Sequence, residues 1–475
     1  MTRYQQIAQQ IVEQIENGVW RVGDKIPSVR ASCQNFSASN STVLKAYQIL
    51  ESQGWITAKP QSGYYISSRS SLSAGEFNTS QNSVSFKDKL LQFLKASNSD
   101  TALPFSSAFP DPTLFPMADL AKSLSNAAKK LNPSQNRLHM PPGNPDLRRQ
   151  IAQRYTKRGV HIGHQDIVIT SGAMESLNLS LQAVTQPGDK VMVETPVFYG
   201  ALQIIERLGL VPVEVFIDKH HGLDIEQMES VLTEHDIKAC WLMSSFNNPT
   251  GLSLSDDKKR AIVELANQHD FYIVEDDAYG ELQFAEGCSP KSIKAFDSED
   301  RVLSCSSFSK SLCPGYRLGW LINGRFNDEI QKIQLLSTLS TSAPIQAGLA
   351  HYLTYESYDN HLRKLRKELH LRYIALRDYL LSILPTSTVL SEPEGGYFIW
   401  LYLPKSLDMA DLKQQMSEYE WSLALTELFV PREELSSEEA LHGLRLNFSY
   451  SLTNERKNAL LHLSKVIAKM SETVR

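Results

Sequence analysis

A chain of 475 residues is too long for one ordinary core, so two or three domains are expected. Hydrophobic content of 42% and charged content of 21% exclude bulk disorder, and a formal net charge of -5 excludes a chain-wide attraction to nucleic acid or membrane. Cys33, Cys240, Cys288, Cys305 and Cys313 form no C-x-x-C pair, which argues against a disulfide framework and a zinc site and for reduced thiols in the cytoplasm.

The N-terminus is amphipathic and polar, without the apolar run of an export signal, and nowhere do eighteen apolar residues follow one another. Tyr4, Ile7, Ile11 and Ile15 recur at helical spacing until Asn17-Gly18 stops them. Ser28 is placed to cap a second short helix running through Arg30 and Cys33. A third is expected from about Ser39, with Val43, Ala46, Tyr47 and Leu50 on its buried face and Gly54 at its end. Two β-rich runs, 55–58 and 64–66, flank PQSG as a hairpin does. Three helices and a hairpin predict a winged helix-turn-helix over 1–69. Here Arg3, Arg21, Lys25, Arg30, Lys45, Lys59 and Arg69 outnumber Glu13, Glu16, Asp24 and Glu51, so this segment is positive within a negative chain and suits phosphate contact.

The run IENGVWRVGDKIPSVR, followed by SASNSTVLKAYQILESQGWITAKPQSGYYIS, resembles the DNA-binding domain of GntR-type bacterial regulators. The resemblance implies that Arg30, Ser39, Asn40, Ser41, Thr42 and the wing-tip Gly63 approach double-stranded operator DNA, with Lys45 on the same helix. Two positions depart from the family: Leu44 and Asn40 stand where arginines are common.

Residues 70–99 read as a linker, since serine and asparagine dominate its first half; FKDKLLQFLKA at its end also has the pattern of a helix packing on the C-terminal region. Over 100–475, β-branched runs (DIVIT, KVMVETP, KACWLMSSF, FYIVEDD, RVLSCSS, RLGWLIN) alternate with amphipathic segments. That alternation predicts an α/β body with a mostly parallel sheet and ligands at the carboxyl ends of its strands.

The strand ends carry the chemistry. DIVIT runs into Ser171, Gly172, Ala173 and Met174, a turn into a helix whose first N–H groups suit a phosphate. FNNPTG supplies Asn248, a hydrogen-bond donor. FYIVEDDAYG ends in Asp276 and Asp277 with Tyr279 behind; a buried carboxylate needs a partner, and a protonated pyridine nitrogen is one. SSFSKSLCPGYRLGW sets Lys310, whose amine can form a Schiff base, beside Ser307 and seven residues before Arg317.

In this order SGAMESL, PVFYG, NNPTG, DDAYG, SFSK with PGYRLGW, PEGGYFIW and LRLNFSY resemble the class I/II aminotransferases of fold type I, which carry pyridoxal 5'-phosphate. The resemblance implies a fold type I transferase body with a smaller α+β lobe at about 346–475. It makes Lys310 the Schiff-base lysine and proton shuttle, Asp276 the partner of the pyridinium nitrogen, and Asn248 and Tyr279 the groups at the ring hydroxyl. Phe198, ahead of Tyr199, would stack on the ring. Gly172, Ala173, Met174, Ser307 and Arg317 would hold the phosphate, and Arg445 would grip a carboxylate. Many relatives reach the partner subunit's phosphate with a tyrosine near LHMPPGNP; this chain offers His139 there. Head and body together resemble the MocR type of regulator, which implies a homodimer, head-to-tail in that group's manner, answering an amino-acid-like effector. A metabolic aminotransferase with an auxiliary head is the competing reading.

Overall fold

A computed structural model describes residues 2–59, 62–67, 86–97, 103–130, 140–218, 222–285, 289–419, 421–431 and 442–472. They fall into two compact units, 1–83 and 84–475.

In the first unit, α1 (Arg3–Glu16) starts with a reciprocal cap in which the Thr2 N–H donates to the Gln5 side chain at 2.9 Å. Ser28 caps α2 (Val29–Asn35) by accepting from the Ala31 N–H, and Ser39 caps α3 (Asn40–Ser52) by accepting from the Thr42 N–H. Strands β1 (Ile56–Lys59) and β2 (Gly63–Ile66) pair antiparallel with Ile56 opposite Ile66. Their inner residues join Ile7, Ile11, Val43, Tyr47 and Leu50 in a small core. Each such side chain contributes about 1.5–3 kcal/mol, which is what holds so short a module together. The buried Tyr47 hydroxyl is satisfied twice, by Ser32 Oγ and by the Pro27 carbonyl, both at 2.7 Å. The expected winged helix-turn-helix is therefore present.

The second unit begins with α4 (Phe86–Ser97), the helix that FKDKLLQFLKA allowed. Leu90 and Phe93 are buried in an apolar cluster with Tyr199, Trp400 and Phe429, so this stretch packs as part of the body instead of extending the linker through residue 99. Residues 70–85 lie outside the described residues. Helices α5 (Met117–Lys130) and α6 (Pro145–Lys157) come next.

The large sheet has strands β3 (Ile167–Thr170), β4 (Lys190–Thr195), β5 (Val211–Asp218), β6 (Gly222–Leu223), β7 (Ile237–Leu242), β8 (Tyr272–Asp276), β9 (Val302–Ser307) and β10 (Gly319–Ile322), in the order β3-β10-β9-β8-β7-β4-β5-β6. Neighbours pair parallel except β10, antiparallel to both β3 and β9, and the edge strand β6, antiparallel to β5. Every residue of β3 and β9 is buried, which is why these segments read as unbroken apolar or small runs. Two helices, α7 (Ala173–Val184) and α8 (Tyr199–Arg207), leave the carboxyl ends of β3 and β4.

A smaller antiparallel sheet of β11 (Val389–Leu390), β12 (Phe398–Tyr402), β13 (Ala424–Leu425) and β14 (Gly443–Asn447) has the order β11-β12-β14-β13. Its apolar residues Ile399, Leu401, Leu444 and Leu446 share a core with Leu362, Leu365 and Leu369 of the helix Tyr358–Ile383 and with Leu460 and Leu463 of Asn454–Glu472. This is the smaller lobe anticipated from the sequence. Among the described residues, no helix is long and apolar enough to cross a membrane.

Candidate functional site

The parallel strands point their carboxyl ends at one cleft, and the chemistry-bearing residues collect there. Asp276 is the last residue of β8, almost fully buried, and its Oδ1 accepts from the Ala278 N–H at 3.2 Å. Burial pushes its carboxyl up to about 7, a rise that the Ala278 N–H and Lys310 hold back. Its neighbour Asp277 sits in a bidentate ion pair with Arg158, at 2.5 and 3.0 Å. Burial likewise raises Asp277, to about 6, against the pull of Arg158.

Lys310 follows β9 in a turn and is only partly open to solvent. Its Nζ donates to the Ala108 carbonyl at 2.6 Å and lies 4.8 Å from the Phe109 ring centroid and 5.7 Å from that of Tyr279. Burial lowers the amine to about 7, helped by the positive charge of Arg445. At neutral pH a large share of it is therefore the unprotonated nucleophile.

Asn248 sits in the turn after β7, where its Oδ1 accepts from Arg445 Nη1 at 2.7 Å while its side chain also meets the Tyr279 hydroxyl. Arg445 comes from β14, in the smaller lobe, and is completely buried. Its Nη2 donates to the Ser106 carbonyl at 2.7 Å, its guanidinium lies 4.5 Å from the Phe398 ring centroid and 5.2 Å from that of Phe429, and among the described residues its Nε has no hydrogen-bond partner. A buried guanidinium with no carboxylate is costly, and an anionic ligand would relieve it.

A second cluster forms a glycine-lined cup. Gly172 precedes α7 with φ +107°, a conformation reserved for glycine, and a Cβ built there would stand 2.8 Å from Arg317 Nη2. A Cβ on Gly319 would collide with the Gly172 carbonyl carbon and the Ala173 nitrogen. The cup thus admits Arg317 against the start of α7, whose first N–H groups, at Ala173 and Met174, have no intrahelical acceptor. Ser307 ends β9 opposite Gly319, and Ser309 Oγ accepts from Arg317 Nη1 at 3.4 Å. The Phe198 ring lies beside Met174 over Gly200, whereas Tyr199 reaches toward Arg445. Together the nucleophilic amine, the strand-end acid, the Asn–Tyr pair, the aromatic wall and the phosphate cup fit pyridoxal 5'-phosphate. Among the described residues, no group of His, Cys, Asp and Glu side chains is placed to hold a metal ion.

Several residues in this arrangement were not singled out from the sequence. Ser309 lies two positions from Ser307 in the same SFSK stretch and steers Arg317. Glu194, next to last in β4, is buried with Oε1 accepting from the Met243 N–H at 2.9 Å and from Asn247 Nδ2 at 2.6 Å, which fixes the turn that presents Asn248. Arg158 pairs with Asp277 across 119 residues, a separation that no local pattern signals. His139 lies outside the described residues.

On the head, Arg30, Ser39, Asn40, Ser41, Lys45 and Gly63 are exposed, while Thr42, whose N–H donates to the capping Ser39, is half-buried. Leu44 is exposed on the same helix, and the Lys45 ammonium lies 4.6 Å from the Tyr4 ring centroid. Gly63 sits at φ +109° beside the Lys25 side chain.

Comparison with known proteins agrees with this division. Residues 111–460 match the family of aminotransferases class I and II, and residues 3–66 match the gntR family of bacterial regulatory proteins. The chain is 42% identical to the uncharacterized HTH-type transcriptional regulator YdcR of Escherichia coli (strain K12), over 98% of this chain and 99% of that protein. It is 33% identical to the HTH-type regulator YjiR of the same strain, over 99% and 100%. Among solved structures it resembles the kynurenine aminotransferase of Pyrococcus horikoshii in complex with PMP, with a TM-score of 0.72 and 26% identity over 83% of this chain and 96% of that one. The body is that of a class I and II aminotransferase. With its GntR head, the chain belongs to the MocR type of HTH transcriptional regulators.

Proposed function

We propose that this regulator binds operator DNA through the exposed start of α3 and the hairpin wing, and that its body holds pyridoxal 5'-phosphate as the contact point for an amino-acid-like effector. The observation that carries the reading is the meeting of Lys310, Asp276 and Arg445 in one cleft of a chain whose α3 also presents an exposed start. When bound, the cofactor supplies a carbonyl that condenses with amines and a ring that withdraws electrons. Asp276 would keep a proton at the ring nitrogen, and Asn248 and Tyr279 would hold the ring oxygen. Phe198 would cover the ring face. Gly172, Ala173, Met174, Ser307 and Arg317 would anchor the phosphate. Arg445 would orient the effector's carboxylate, and Lys310, as the attaching lysine, would take and return protons at the carbon beside the amine.

The protein is proposed to act in the cytoplasm as a homodimer, with head 1–69, linker from 70, body from α4 onward and the smaller lobe at about 346–475. Free cysteines at 33, 240, 305 and 313 support a reducing compartment. Arg317 is exposed on the cup, and Leu335, Leu336 and Leu339 are exposed at the end of the helix Asn327–Ser337, which supports a covering second copy. A metabolic aminotransferase would use the same body residues and leave the head idle. The two separate in one assay: operator affinity with and without cofactor across an amino-acid panel, run beside turnover with a keto-acid acceptor. A regulator changes its DNA affinity with one or a few amino acids; rapid turnover with unchanged affinity overturns the proposal.

A further inference from the structure

Residues 103–112 thread between the two cations of the cleft. Alternate carbonyls face opposite ways: those of Ser106 and Ala108 accept from Arg445 Nη2 and Lys310 Nζ, at 2.7 and 2.6 Å, while those of Ser107 and Phe109 both accept from Asn447 Nδ2, at 2.9 and 2.8 Å. Asp111 closes the segment with its N–H on Ser449 Oγ, 3.0 Å, and its carboxylate on Arg372, 2.8 Å. The Asn447 and Asp111 contacts are anchors to the smaller lobe. The Ala108 contact differs, because its donor is an amine that the proposed chemistry alternately occupies and releases.

A Lys310 nitrogen joined to the cofactor would have given up two hydrogens, so the bond to Ala108 belongs to the free amine. An incoming amine would form its nitrogen–carbon bond to the cofactor as the bond between Lys310 Nζ and that same carbon breaks. Two protons pass from the incoming to the outgoing nitrogen, and nothing is oxidised or reduced. Ala108 is also part of the apolar cluster that contains Leu90, Phe93 and Leu94 of α4 together with Phe198, Tyr199 and Phe429. In chain order α4 is the first described element after the head.

We propose that the Ala108 carbonyl and the Phe109 ring form a receptor for the released Lys310 ammonium, through which residues 103–112 and α4 register that an amino ligand has taken the cofactor. This rests on the cofactor reading above and adds the route by which occupancy leaves the site.

The test is amide hydrogen exchange in the full-length chain, followed at residues 103–112 and α4. The segment's Ser107, Phe109 and Asp111 amides are bonded to the Pro104 carbonyl, Ser107 Oγ and Ser449 Oγ. Three states are compared: cofactor-free, loaded with pyridoxal phosphate, and loaded with pyridoxamine phosphate, which leaves the lysine free. Exchange is expected to be slower in the pyridoxamine and cofactor-free states by roughly threefold or more, the scale of one net hydrogen bond. In cofactor-free Lys310→Met that protection is lost, and in Phe109→Ala, a change at a partly exposed ring, the gap between states narrows. Equal exchange in the pyridoxal and pyridoxamine forms of a protein that shows the pyridoxal absorbance band overturns the proposal. Absence of any band defeats the cofactor reading instead, and the cofactor-free comparison of wild type with Lys310→Met still decides the receptor: equal exchange in those two overturns it.

Discussion

At the scale of single residues, the site works by burying groups whose charges are adjustable. Lys310 is the first case. Desolvation brings its amine down to about 7, which makes it a nucleophile near neutrality. Reduction of the cofactor-loaded protein with borohydride should fix the cofactor to the peptide containing Lys310, and Lys310→Ala should abolish the adduct; a reducible covalent adduct persisting in the variant refutes the assignment. Glu194 is the second case. Burial pushes its carboxyl up to about 8, partly offset by the Met243 N–H and Asn247. A raised acid pKa means that the folded state prefers the proton, so this stability is fully present below the ordinary carboxyl range near 4.5 and is lost as pH rises through about 8. Glu194→Gln keeps an oxygen to accept both bonds and cannot ionise. In cofactor-free protein it should melt progressively higher than wild type as pH rises from 5 to 8.5, with the two converging at the acid end; a constant difference across that range contradicts the assignment. At the proposed DNA face, Leu44→Arg adds a positive charge at an exposed position of α3. It should tighten DNA binding at low salt and steepen the salt slope by about one unit, measured by titration in increasing salt.

At the scale of elements, the cup depends on backbone that only glycine can adopt. Gly172→Ala places a methyl against Arg317 and forces φ +107° on a residue that resists it. The expected result is a loss of stability of about 1–3 kcal/mol with weakened cofactor binding, checked by denaturant melts and by absorbance titration with pyridoxal phosphate. Much of this was legible beforehand because strand ends, turns and caps are local. VETPVFYG, FNNPTG, VEDDAYG and SSFSK each place their chemistry within a few residues of a strand, so the strand ends were legible locally, while the role of each residue rested on the resemblance. Strand β5 is not announced by its sequence, because Pro212 breaks its run and only Val215 and Ile217 of its residues are buried, as suits a strand next to the sheet's edge. The antiparallel direction of β10 is equally hidden, since RLGWLIN has the apolar composition of its parallel neighbours. Arg158 with Asp277, and Asn447 with the 103–112 segment, join residues more than a hundred positions apart, and nothing short of the folded chain brings them together.

At the scale of the whole molecule, the chain joins a positive head to a body whose cleft draws on both of its lobes: Lys310 and Asp276 from the large sheet, Arg445 from the small one. A carboxylate-bearing amine that engages both would bias the body toward one arrangement, and it can shift the balance only by its differential affinity for the two. Arg445 is therefore the residue at which effector response and cofactor binding can be separated. The most direct measurement is the operator affinity of the full-length, cofactor-loaded protein, titrated with the amino acid that a panel identifies, for wild type and Arg445→Ala. The account predicts that wild-type affinity changes several-fold with the amino acid, while Arg445→Ala keeps the pyridoxal absorbance band and the amino-acid-free affinity but loses most of the change. A response in Arg445→Ala as large as in wild type, with the band retained in both, would contradict it.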